Sequence, residues 1–216
     1  MKNYLYNLII NSVTDYCYQN CLEYVSENAS ILDVGIGNGV MMNNFHSLIK
    51  SKNLNITGID IDRHYLNRCE SIIRNYNLQD HVEIHCKPVE DYEPSKDCRF
   101  DFILFTMSFM LFKDQEMVLD RIKSWLKPGG EIVFFQTMFK EKVGILELIK
   151  PKLKYVTTVD FGRVTYEDDF FALLKSKQLS ITEDRLIERK KWFKGEYRML
   201  ATTINGCSDA GAGNPH

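Results

Sequence analysis

One run of nine residues, Ile31-Leu32-Asp33-Val34-Gly35-Ile36-Gly37-Asn38-Gly39, limits the folds open to this chain more than any other stretch. Its first half reads as a short buried strand. Glycine at every second position then makes a tight turn ahead of a helical pattern. Glycine lets backbone and ligand approach closely and takes dihedrals that cost other residues free energy. Such a turn at the carboxyl end of a strand is where an open α/β sheet binds a nucleotide-like ligand. Asp33, placed just before the glycines, favours a ligand that carries positive charge there.

The rest of the chain supplies the sheet. Residues 1–28 have helical spacing, through Leu5, Leu8, Ile9, Val13, Tyr16, Leu22 and Val25. Strands are expected at Ser30–Val34, Asn55–Ile59, Val82–Cys86, Phe100–Phe105, Glu131–Gln136, Ser180–Glu188 and Glu196–Ile204. Helices fall between them: one carries Met42, Phe45, Leu48 and Ile49, and the next Tyr65, Leu66, Cys69, Ile72, Ile73 and Tyr76. A third spans about 114–126, stopped by Lys127-Pro128-Gly129-Gly130, and a last one runs from Tyr166 to Ser176. The apolar run at 100–105 is what a parallel sheet buried on both faces requires. The expected fold is α/β: a doubly wound, seven-stranded, mostly parallel sheet with the last strand antiparallel and helices on both faces.

With 216 residues and 44 % hydrophobic content the chain suits one domain at 29–205, preceded by a helical lid at 1–28 and followed by a disordered tail at 206–216. A net charge of −2 argues against nucleic acid, which usually needs a basic face; the run Arg189, Lys190, Lys191 and Lys194 reads as a solvated hairpin turn. No apolar run approaches the roughly 18 residues of a membrane helix, and the start carries no signal-peptide pattern. The six cysteines form no C-x-x-C pair and no zinc ladder, so reduced thiols in a cytoplasmic protein without a metal are expected.

Two ligand classes compete for the glycine turn. A dinucleotide would set a pyrophosphate over it, where Asp33 repels. S-adenosylmethionine would set an ammonium and a sulfonium there, where Asp33 helps. The spacing G-x-G-x-G also departs from the G-x-G-x-x-G of dinucleotide sites. Asp60 closes the next strand, 21 residues beyond Gly39, where a carboxylate can accept both hydroxyls of a ribose. Asp62 suits a helix cap.

Four segments in order, ILDVGIGNG (31–39), ITGIDID (56–62), FDFILFTMSFMLF (100–112) and LKPGGEIVFF (126–135), make the chain resemble the class I, Rossmann-like S-adenosylmethionine-dependent methyltransferases over residues 30–204. The resemblance implies that Asp33 reaches the methionyl amine and that Gly35, Gly37 and Asn38 line the methionine and ribose. It implies that Asp60 holds the ribose hydroxyls and Ile61 packs on the adenine. Pro88 stands where many members have an aspartate for the adenine amino group. Val89 can still offer a backbone N–H, and Glu90 a carboxylate; Glu90 and Asp91 equally suit a turn cap. Thr106, Met107 and Ser108 follow the fourth strand, where the family holds the reactive methyl. Thr106 therefore borders the donor, and Thr106, Ser108 and Tyr16 are the candidates for a catalytic role. S-adenosylhomocysteine would be the product.

The histidines offer no obvious base. His46 and His64 sit in expected helices, His81 and His85 flank or lie in the third strand, and Phe109–Phe112 stands where many members have a histidine. The chain lacks an N/D-P-P-Y motif, a Lys-Asp-Lys-Glu set and a dimetal catechol pattern. Aromatic residues Tyr4, Tyr6, Tyr16, Tyr18, Phe109, Phe112, Phe139, Phe161 and Tyr166 suggest a small acceptor of apolar or cationic character. The first 20 residues and the insert 140–163 are candidates for its walls. The expectation is methyl transfer to a small molecule by direct displacement. The alternatives are a protein or RNA methyltransferase, a non-catalytic S-adenosylmethionine-binding partner subunit, and, disfavoured by Asp33, a nicotinamide dehydrogenase.

Overall fold

The computed structural model describes residues 15–96, 98–140, 164–190 and 195–205. In chain order the elements are α1 (residues 15–24), β1 (Ser30–Val34), α2 (Val40–Ser51), β2 (Asn55–Asp60), α3 (Arg63–Asn75), β3 (Val82–Cys86) and β4 (Phe100–Thr106). A 3-10 turn at Phe109–Leu111 leads to α4 (Gln115–Lys123), β5 (Leu126–Phe139), β6 (Thr165–Tyr166), α5 (Glu167–Ser176), β7 (Leu179–Lys190) and β8 (Gly195–Ile204). The first 14 residues of the expected lid, the insert over 141–163, the hairpin tip at 191–194 and the tail 206–216 lie outside the described residues. So do Tyr4, Tyr6 and Phe161.

The strands form one eight-stranded sheet ordered β3-β2-β1-β4-β5-β8-β7, with the two-residue β6 paired to the end of β5. Pairs among β1 to β5 are parallel, and β8 is antiparallel to both β5 and β7. The seven expected strands and the antiparallel last one are therefore present, with β6 added. Strand order reverses between β1 and β4, which opens a crevice at their carboxyl ends.

Helices cover both faces because the strands are apolar on both. Along β1, Ile31 joins a cluster with Cys17, Cys21 and Leu22 of α1, Met41 and Met42 of α2, and Leu66 and Cys69 of α3. Leu32 and Val34 join the opposite cluster, with Val118, Leu119 and Ile122 of α4 and Phe170 and Leu174 of α5. Among the described residues no helix is long and apolar enough to cross a membrane.

Two local expectations need correction. Lys127-Pro128-Gly129-Gly130 does not stop the helix, which ends at Lys123; those residues already belong to β5. The register against β4 jumps there, from Phe100↔Leu126 to Phe102↔Glu131, so the proline and glycines form a bulge, a site where strands tolerate both residues. The helical faces also differ in part: Tyr65 is 40 % and Tyr16 60 % exposed, so neither belongs to the core.

Candidate functional site

The glycine turn is held from the β2 side. The N–H groups of Gly35 and Ile36 both donate to the carbonyl of Ile59, at 2.9 and 3.2 Å. Gly35 has φ +83°, and a Cβ there would come 2.8 Å from the Cβ of Ser108, so β1 and β4 converge too closely for a side chain. Ile36 lies across Gly58 in the middle of β2, where a Cβ would come 2.3 Å from Cδ1 of Ile36. A glycine inside an apolar strand signals such a close approach, and it is readable within ITGIDID.

Two carboxylates flank the turn in different settings. Asp60 ends β2: its Oδ2 accepts from the Gly37 N–H and its Oδ1 from the Asp62 N–H, both at 2.9 Å. These bonds fix the carboxylate while leaving each oxygen further acceptor capacity. Asp62 in turn caps α3 by accepting from the His64 N–H at 2.8 Å.

Asp33 is sealed beneath the turn, with no exposed surface. Its Oδ2 accepts from the Tyr18 hydroxyl at 3.0 Å and its Oδ1 from the Thr106 hydroxyl at 3.4 Å. Burial pushes its carboxyl up to about 7; the Tyr18 and Thr106 hydrogen bonds pull it back down, and the Asp60 carboxylate adds to the rise. None of the groups shifting it is cationic. A carboxylate in this state gains more from an incoming positive charge than an exposed one would.

Beside Asp60 opens a cavity of about 470 Å³, lined among others by Gly35, Ile61, Pro88, Val89, Ser108 and Phe112. Ile61 is 74 % exposed at its edge, so its side chain is open to contact with a ligand in the cavity. The cavity therefore pairs a fixed carboxylate with a mostly apolar slot, which fits a ribose carrying a flat ring. Lys87, Glu90 and Lys113 supply charge on the lining.

Residues 31–130 match a family described as a methyltransferase domain. A carboxy-S-adenosyl-L-methionine synthase of Shewanella sediminis is 26 % identical over 144 residues, covering 67 % of this chain and 57 % of that protein. A malonyl-[acyl-carrier protein] O-methyltransferase of Ilyobacter polytropus is 26 % identical over 171 residues, covering 76 % and 62 %. The chain is similar to S-adenosylmethionine-dependent methyltransferases, with a methyltransferase domain at residues 31–130 and the class I, Rossmann-like fold. The structure of a geranyl diphosphate methyltransferase in complex with S-adenosylmethionine superposes on this methyltransferase fold with a TM-score of 0.68 at 12 % identity, covering 89 % of this chain and 84 % of that one. The chain spans less than two thirds of the length of these two sequence relatives.

Within the methyltransferase fold the residues singled out from sequence fall into three groups. Gly35, Asp60, Ile61, Val89, Glu90 and Ser108 line the cavity. Asp33 and Thr106 lie buried behind it, bonded to each other, and the Gly37 N–H is bound to Asp60. Asn38 and Tyr16 are not among the lining residues. The Ser108 hydroxyl donates to the carbonyl of Val34, so it ties β4 to β1. Sequence reasoning missed the bond from Tyr18 to Asp33. The signal was helical phase: Cys17, Tyr18, Cys21, Leu22 and Val25 are the buried positions, and the cysteines serve as the apolar markers.

Proposed function

We propose that the chain transfers a methyl group from S-adenosylmethionine to a small-molecule acceptor. The observation that carries this reading is the pair Asp33 and Asp60 flanking one glycine turn, the first buried without a cation and the second fixed at the mouth of a largely apolar cavity. When bound, the donor supplies a methyl group on a sulfonium, a good leaving group. The chain's own residues bind and orient. Asp60 accepts the ribose hydroxyls. Gly35, Gly37 and Asn38 present backbone to the ribose and methionine, and Asp33 offsets the ammonium from below. Ile61 and Val89 flank the adenine, with Glu90 at the rim. Thr106 and Ser108 border the reacting carbon, with Tyr16 and the segment 1–28 closing the acceptor side of the 29–205 domain. Alignment of nucleophile, carbon and sulfur supplies much of the barrier reduction, and a base serves only an acceptor that holds its proton tightly. The small net charge favours a small acceptor over nucleic acid.

Thermal unfolding with added ligand tests the donor site. S-adenosylmethionine and S-adenosylhomocysteine raise the melting temperature, NAD does not, and Asp60→Ala abolishes the shift. A wild-type protein indifferent to both sulfur ligands sinks the reading. Incubating a metabolite extract with methyl-labelled donor then tests the acceptor class: label in small products supports it, and label only in polymer overturns it.

A second reading has one observation behind it. Lys87 and Lys113 line the cavity and hold no ion pair among the described residues. Together with the likeness to a carboxy-S-adenosyl-L-methionine synthase, they favour a ligand bearing an extra carboxylate. A nucleoside product heavier than S-adenosylmethionine in mass spectra would establish it.

A further inference from the structure

We propose that Tyr18 is a positioning residue for the methyl donor: from α1 it holds the Asp33 carboxylate in place beneath the glycine turn, so that the seating of α1 and the grip on the donor's ammonium are coupled. The inference rests on the donor site proposed above.

The geometry is specific to this tyrosine. Tyr18 is 3 % exposed, whereas Tyr16, two residues earlier, is 60 % exposed, so the phase of α1 puts one hydroxyl at the carboxylate and the other in solvent. The Tyr18 hydroxyl lies 3.0 Å from Asp33 Oδ2 and 3.5 Å from the carbonyl oxygen of Ile36 inside the turn. It has one proton to give, and the carboxylate is the stronger acceptor and the nearer one. Thr106 takes a second acceptor site of Asp33 from β4 at 3.4 Å, so the carboxylate is clamped between α1 and β4 with acceptor capacity to spare.

The clamp bears on charge. The titratable groups facing Asp33 are Tyr18 and Cys21 on α1, Asp60 at the end of β2 and Cys69 on α3, and none is a cation. Hydrogen bonds to the ionised form are then what favours it over the protonated form, and Tyr18 supplies the shorter of the two. α1 is itself tied down elsewhere. The Lys52 ammonium donates to the carbonyls of Leu22 and Val25 at 2.8 and 2.7 Å, and the Tyr24 hydroxyl donates to Glu131 at 2.7 Å. The helix therefore stays anchored when the Tyr18 hydroxyl is deleted, and Tyr18→Phe removes one bond and little packing.

Calorimetric titration with two ligands tests the proposal. S-adenosylmethionine carries the ammonium; 5′-methylthioadenosine has the nucleoside and sulfur but no amino-acid end. Tyr18→Phe weakens S-adenosylmethionine about tenfold near pH 6.5, the loss of a hydrogen bond to a charged group, and leaves 5′-methylthioadenosine unchanged. The acid limb of the affinity–pH profile moves to higher pH, because Asp33 without its donor ionises later. The alkaline limb, set by the ligand's own amine, stays in place. Tyr24→Phe, which deletes a comparable bond at the other end of α1, alters neither ligand. Equal losses for both ligands, or an unmoved acid limb, overturn the proposal. Wild-type protein that binds neither ligand overturns the donor site and this inference with it. Hydrogen exchange on the unmodified protein gives a second measure, independent of how the variant folds: S-adenosylmethionine slows exchange over residues 15–24 and 5′-methylthioadenosine does not, and equal protection counts against the coupling.

Discussion

Ile36 rests directly on Gly58, and no side chain at position 58 could leave it there. The added Cβ would sit 2.3 Å from Cδ1 of Ile36 and 3.1 Å from its Cβ. The contact joins the glycine turn to the middle of β2, so the turn's height above the sheet is set by a missing methyl group. Gly58→Ala is expected to lower stability by about 1–3 kcal/mol, the usual effect of overpacking, and to weaken donor binding by lifting the turn. Pairing it with Ile36→Val, which shortens the opposing side chain, recovers part of the loss. Chemical denaturation of both single variants and the double variant measures the coupling, and strict additivity would contradict the contact.

Asp33 gives the unliganded protein a characteristic pH dependence. Its carboxyl titrates at about 7 in the fold against an ordinary value of 3.8. Between those values the folded protein keeps a proton that the unfolded chain has lost, so stability falls as pH rises through the window and levels off above it. The contribution is roughly 2–4 kcal/mol between pH 4 and 8. Asp33→Asn removes it. Calorimetric melting at pH 5, 6, 7 and 8 is expected to show the variant more stable than wild type at pH 8, with a flatter profile and no response to S-adenosylmethionine.

Lys52 closes the carboxyl end of α1. Its ammonium donates to the carbonyls of Leu22, Glu23 and Val25, at 2.8, 3.1 and 2.7 Å, three groups left without intrahelical partners where the helix ends. Lys52→Met keeps the side-chain stem and removes the charge and the donors. It is expected to lower stability by about 1–2 kcal/mol and to speed hydrogen exchange over residues 15–24 more than in the strands. Uniform acceleration across the protein would count against a local cap.

Arg198 pins α5 to the β7–β8 hairpin. Its guanidinium takes both oxygens of Asp184 on β7, approaches Glu167 of α5 at 2.8 Å, and lies over the Phe171 ring at 5.5 Å. Its side chain is 10 % exposed, so removing the charge strands two carboxylates beside apolar surface. Arg198→Met is expected to lower stability by about 2–3 kcal/mol, less than a fully buried pair because both acids keep some access to water. Arg198→Lys restores little, since an ammonium cannot span both partners. Urea denaturation of the two variants measures the difference.

The parallel half of the sheet was legible because its strands are apolar on both faces and its glycines sit at fixed offsets; the ends of β1 and β3 match the expected residues. The start of β5 was not. Pro128-Gly129-Gly130 has the composition of a helix stop, and only pairing with Phe100 and Phe102 of β4 makes it a bulge. Asp33 and Asp60 stood out because an acid at the end of an apolar strand needs a reason. Tyr18 was legible only as one of several aromatics near the acceptor pocket; its bond to Asp33 was not, because only the phase of Cys17 and Cys21 fixes which way it faces. Gly58 is legible as a glycine inside an apolar strand, but the side chain that needs it, Ile36, lies in another segment.

A buried carboxylate without a cation also bears on how much of the protein exists. At neutral pH the empty fold carries a burden that a cationic ligand removes, so ligand and folding are thermodynamically linked. At a free concentration one hundred times its dissociation constant, a ligand that binds only the folded form adds about 2.7 kcal/mol. The folded population then follows the supply of that ligand, and a cell depleted of it would hold less of this chain before any step of catalysis was affected.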